Sequence, residues 1–171
     1  MIRKRTQALQ VQGWLILPVL VCLVSTVVLA TPIRVFGIGL PQPVFPMVLA
    51  FVWAVIRPSI LGPFALLAVG FFLDLFWGAP LGLWALALLL AYAGAVVSRS
   101  LVTGRGAFML AMWYLSLTVV AFTAAYLTIM LRAHITPSLT DTILQFLATA
   151  ALFPVARRMI DHFENADFRP W

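Results

Sequence analysis

The chain has 171 residues, of which 64% are apolar and 9% charged, with a formal net charge of +6. A soluble domain is about 45–50% apolar and about 25% charged, so this chain holds too little charge to cover a water-facing surface. It also holds too much apolar side chain to be disordered, and an integral membrane protein is the class that remains. Unbroken apolar runs such as Ala107 to Leu131 exclude the alternating strands, about 10 residues long, of a membrane barrel. The single cysteine, Cys22, rules out an intrachain disulfide and reads as a small hydrophobe.

Six apolar segments follow one another. Residues 1–13 form a basic N-terminus, and Trp14–Ala30 is the first segment. It starts like a signal peptide and offers small residues around Ala30, but its length and the nearby Pro32 favour a retained span. The second, Val44–Ile56, follows Pro41 and Pro43, contains Pro46 and ends at Arg57-Pro58. It measures about 20 Å as a helix, against a hydrocarbon core near 30 Å. A re-entrant segment packed on protein is therefore its alternative. Ile60–Trp77 is the third and Leu81–Val97 the fourth, joined by the tight turn Trp77-Gly78-Ala79-Pro80-Leu81-Gly82. Ala107–Leu131 is the fifth, and Leu139–Ala156, headed by a capping-box spacing of Ser138 and Asp141, is the sixth. The transmembrane domain thus covers 14–156, and 157–171 reads as a short surface-lying tail. Trp14, Trp77, Trp84 and Trp113 fall near the predicted interfaces and suit anchors there.

Charge decides the orientation. With six spans and an inside N-terminus, the cytoplasmic side holds Arg3, Lys4, Arg5, Arg57, Arg99, Arg105, Arg157, Arg158 and Arg169. The far side holds only Arg34 and Arg132. If Val44–Ile56 fails to cross, the excess reverses, so six spans with both termini cytoplasmic fit the positive-inside rule. A short second span then implies a thinned bilayer or a crowded place in the bundle.

Few residues could carry chemistry. His134 and His162 fall on opposite sides, and no zinc spacing, P-loop or dinucleotide fingerprint occurs. No metal, cofactor, nucleic-acid partner or enzymatic activity is expected. Asp74 is the acidic residue inside a span, about 21 Å beyond Ile60 and hence near the far interface. Its partners could be Arg34, Arg132 or the backbone N–H groups near Leu81-Gly82. It reads as a tie for the turn, with a partner contact and proton coupling as alternatives. Gly70, Asp74 and Gly78 share one helix face, which suits close approach by a helix of this chain or of another. Ser116, Thr118, Thr123 and Thr128 can bond backbone carbonyls or neighbouring helices. Arg57-Pro58 could meet lipid phosphate or a partner.

Three stretches, Trp53-x3-Arg57-Pro58, Gly70-x3-Asp74-Leu75-x2-Gly78-x-Pro80-Leu81-Gly82-Leu83 and Ala85 to Tyr92, resemble the rod-shape-determining MreD family. The size, the six-span layout and the cytoplasmic termini agree with that family; the detailed match covers about residues 44–97, and the rest agrees in hydropathy only. Trp84 departs from the pattern, where many members carry a smaller polar residue or His. The resemblance implies a bacterial inner-membrane component of the elongation machinery without catalytic activity. It would work beside single-span MreC, the glycosyltransferase RodA, a class B penicillin-binding protein and the MreB filament. It also implies a fold similar to the substrate-binding subunits of energy-coupling-factor transporters, which does not transfer function.

The expected partner surface is the face around Gly70, Asp74 and Gly78, or the short second span, receiving the MreC transmembrane helix. Arg57, Pro58, Pro80 and Gly82 complete the candidate residues. A different class of function, a substrate-binding membrane subunit of a vitamin or metal transporter, needs a polar pocket near one interface. For that pocket the sequence offers Asp74, Arg34, Arg132 and His134 on the far side.

Overall fold

A computed structural model describes residues 18–28, 34–35, 38–39, 42–56, 58–102, 104, 106–133 and 138–167. Arg57, His134 and the basic N-terminus, with Trp14, lie outside them, as do the side chain of Arg34 and the segment end at Ala30.

The architecture is helical. Its helices are α1 (Pro18–Val28), α2 (Phe45–Ile56), α3 (Leu61–Trp77), α4 (Leu83–Val102), α5 (Ala107–Ala133), α6 (Leu139–Ala150) and α7 (Phe153–Asp167). A two-residue antiparallel pairing, Arg34–Val35 with Ile38–Gly39, sits in the connection between α1 and α2. Three stretches are long and apolar enough to cross a membrane: Leu83–Leu101, Ala107–Arg132 and Leu139–His162. α1, α2 and α3 are apolar but shorter.

α4 is the hub, packing against α2, α3 and α5, while α2 also meets α7. Its 20 residues extend about 30 Å, enough to run through a hydrocarbon core. The bundle closes around α2, in which every residue from Pro46 to Val55 is buried. Of the two alternatives that a short second span left open, a thinned bilayer or a crowded place, α2 occupies a crowded place. Close approach rests on missing side chains. A Cβ on Gly70 would stand 2.3 Å from Ala85 Cα, and one on Gly94 would stand 2.4 Å from Leu117 Cδ2. Backbone meets backbone at the first of these, which is how helices gain dispersion contact where no hydrophobic effect drives them together.

Two boundaries differ from expectation. The sixth segment is two helices, broken at Ala151-Leu152. Pro154 has no N–H and its ring would clash with the carbonyl of Ala150 in a continuous helix. The chain instead takes a tighter turn, with Leu152 N–H bonding Thr149 O at 3.1 Å, and Pro154 falls in the first turn of α7, where proline is tolerated. The expected tail is also helical as far as Asp167, with Arg157 and Asp161 paired one turn apart at 3.5 Å. At α6, Ser138 occupies the N-cap position but makes no side-chain bond to the backbone. Its hydroxyl bonds the Asp141 carboxylate directly.

Candidate functional site

The α3–α4 joint gathers most of the residues singled out by sequence. Gly78 ends α3 with φ 64°, a left-handed conformation that a Cβ disfavours, and its N–H bonds Asp74 O. Ala79 N–H bonds the same carbonyl at 2.8 Å. Pro80 carries the chain over, with Leu83 N–H on Pro80 O at 3.1 Å, and Gly82, at φ 91°, presents its carbonyl to Leu86 N–H at 2.9 Å. The Asp74 side chain turns into this joint and is fully buried. Oδ2 accepts from Gly82 N–H at 2.7 Å and Oδ1 from Trp84 N–H at 2.8 Å. Asp74 therefore caps the start of α4 from the neighbouring helix, where the orphan N–H groups and the helix dipole favour a carboxylate.

Arg132 reaches the same end of the bundle, but its Nη1 bonds Leu81 O at 3.1 Å. The carboxylate of Asp74 is taken by backbone N–H groups. Gly70, one turn below, is sealed by Ala85 of α4. Gly70 and Asp74 are thus covered by this chain's own α4, whereas Gly78, the third residue of that face, is exposed with open space around it. α2 cannot receive a partner helix, since it is buried on every side. Of the expected partner surface, Gly70, Asp74 and α2 are interior and Gly78 is exposed. Pro58 is exposed, and Arg57 beside it lies outside the described residues.

Sequence reasoning missed two further joints. At the opposite end of α4, Arg99 Nε donates to Val55 O at 2.9 Å and Nη2 to Ile56 O at 3.2 Å. α2 has no basic residue in its own last turn, so Arg99 supplies the cation that its C-terminus favours. Tyr92 binds the α2–α3 turn, donating to Ser59 O at 3.1 Å and accepting from Ser59 N–H at 3.2 Å. Gly62 makes room for that ring. The second joint holds the start of α2 to the end of α6. Thr149 Oγ1 accepts from Val44 N–H at 3.0 Å, and Tyr114 Oη donates to Thr149 O at 2.9 Å, with both side chains buried. Gln145 Nε2 donates to Gln42 O at 3.2 Å. In α5, Ser116, Thr118, Thr123 and Thr128 all bond the carbonyl four residues back, so each satisfies its own helix.

A cavity of about 530 Å³ adjoins the Asp74 joint, between that turn, α5 and α6. Trp77, Trp84, Phe122 and Tyr126 line it, with Gln42, Asp141, Thr142 and Gln145 as its polar residues. Asp74 and Arg132, expected for such a pocket, are not in its lining. Trp84 is buried in edge-to-face contact with Trp77, centroids 5.3 Å apart, and with Phe122 at 5.7 Å. It is a core residue, which corrects its reading as an interface anchor. The buried indole N–H of Trp77 has no hydrogen-bond partner among the described residues. The sequence signal for this cavity was the i, i+4 pair Phe122 and Tyr126 opposite two tryptophans flanking a turn.

Comparison of the chain with family models, with curated proteins and with solved structures gave no match.

Proposed function

We propose that this protein is a multi-pass, non-catalytic scaffold of the bacterial inner membrane that serves the rod complex by holding the transmembrane helix of MreC. In this reading six segments cross, both termini are cytoplasmic, and RodA, the class B penicillin-binding protein and MreB are reached directly or through MreC. The observation that carries it is the Asp74 joint. Gly70, Asp74, Gly78, Pro80 and Gly82, on which the family resemblance rests, make one hydrogen-bonded unit and one close helix contact. The resemblance thus concerns a physical element and not a run of apolar letters. Polar side chains at both ends of α4 bind helix ends of the same chain, a use suited to a rigid support.

With Gly70, Asp74 and α2 covered, our reading puts the partner helix on the outer stripe of α3. Leu61, Phe64, Phe71 and Leu75 are exposed there at helical spacing, Leu75 by 72%. The test is cell shape. Expressed in a rod-shaped bacterium depleted of its own MreD, the chain should restore rods. Round cells containing correctly inserted protein would count against the proposal.

A second reading, a substrate-binding membrane subunit of a small-molecule transporter with the related energy-coupling-factor fold, draws support from the cavity beside the Asp74 joint. Co-purification of an ATPase module would favour it over the first.

A further inference from the structure

We infer that the cavity between the Asp74 joint, α5 and α6 is a binding site for an ammonium group carried on an apolar body. The volume, about 530 Å³, lies in the range of small-ligand sites. Trp77, Trp84, Phe122 and Tyr126 line the cavity, and the first three are held edge to face, Trp77 on Trp84 and Trp84 on Phe122, while Phe122 also meets Phe146 outside the lining. Ring faces attract cations, tryptophan most strongly. Among the described residues the lining contains one carboxylate, that of Asp141, and no Lys, Arg or His. Among the described residues at this end of the bundle, Arg132 has its guanidinium on Leu81 O. The amide of Gln145 adds a polar side. Aromatic walls with a negative pole favour a cation with apolar flesh over an anion, for which the described lining offers no charge partner. The site lies at one end of the bundle, so the ammonium can belong to a free amine or to a phosphatidylethanolamine headgroup. The inference stands apart from the scaffold proposal, because the outer stripe of α3 takes no part in the cavity.

The probe is benzyltrimethylammonium, titrated into the full-length protein in maltoside detergent and followed by calorimetry and tryptophan fluorescence, with phenylacetate as the anionic counterpart. Saturable binding of the cation and none of the anion is expected. Asp141→Asn and Tyr126→Leu should each weaken it roughly tenfold while leaving the thermal transition in place. Repetition in phosphatidylglycerol nanodiscs with and without phosphatidylethanolamine identifies the source. Loss of binding when phosphatidylethanolamine is present assigns the site to the lipid headgroup, and persistence assigns it to a free amine. Absence of saturable binding, equal binding of phenylacetate, or full affinity in both variants would overturn the inference. Since none of these outcomes touches α3, failure here and failure of the rod-shape test are read separately.

Discussion

Asp74 shows how a single polar residue is made tolerable inside an apolar bundle. A buried carboxylate is costly unless its oxygens are hydrogen-bonded, and here both oxygens receive backbone N–H groups that would otherwise be orphaned at the start of α4. Asp74→Ala leaves the N–H groups of Gly82 and Trp84 without that acceptor and should cost about 2–3 kcal/mol, read as a lower thermal transition in detergent. Asp74→Asn keeps one acceptor and should lose about half as much. The glycines of the same motif are not equivalent. A methyl at Gly70 would overlap Ala85 backbone, so Gly70→Ala should cost about 1–3 kcal/mol through forced separation of α3 and α4. At Gly78 nothing lies within 4 Å of an added Cβ, and the cost of Gly78→Ala is the left-handed backbone alone, about 1 kcal/mol. The order of the two thermal shifts checks whether packing or backbone conformation dominates at each.

At the scale of elements, α2 is the part that needs explaining. It is 12 residues long, and both its ends depend on other helices: Thr149 of α6 at the start, Arg99 of α4 at the finish. A helix too short to reach both membrane faces would leave its terminal groups in an apolar medium, and these side chains supply what water cannot. Tyr92→Phe removes both bonds to Ser59 and should lower stability by about 1–2 kcal/mol. Arg99→Lys should only partly replace Arg99, since one ammonium lacks the fork that reaches two carbonyls together. Hydrogen exchange at the last turn of α2 would report that loss locally. Helix ends were legible wherever Gly and Pro punctuate the sequence, as at Gly78-x-Pro80-x-Gly82. The break before Pro154 was legible too, from a proline inside an apolar run, yet the segment reads as one span when hydropathy alone is followed. Which helix lies in the middle was legible only as one of two alternatives left by the shortness of the second segment, and not from its pattern. In a membrane both the inner and outer faces of a helix are apolar, so α2 carries no stripe to mark its burial. Arg99 was similarly masked, since a basic residue at a span end already satisfies the positive-inside rule.

For the whole molecule, the pattern is of interior faces closed by its own helices and an outer surface rich in exposed apolar side chains, Phe64, Leu75, Phe108 and Leu131 among them. Lipid covers such a surface by default, and a partner helix displaces lipid where it packs better. The cavity lay outside sequence reasoning because Trp77 and Trp84 at a turn carry the same signal as interfacial anchors, and only the packing of α5 and α6 distinguishes the two. Small residues at the α3–α4 contact pointed correctly to close helix approach, but spacing does not say whose helix approaches. The partner claim is tested most directly by photo-crosslinking, with a photoreactive residue placed at Phe64 or Leu75 and, for comparison, at Leu131 on α5, in cells that also express MreC. The account predicts a crosslink to the MreC transmembrane helix from the two α3 positions and not from Leu131. Correctly inserted protein that crosslinks to MreC from neither α3 position would contradict it.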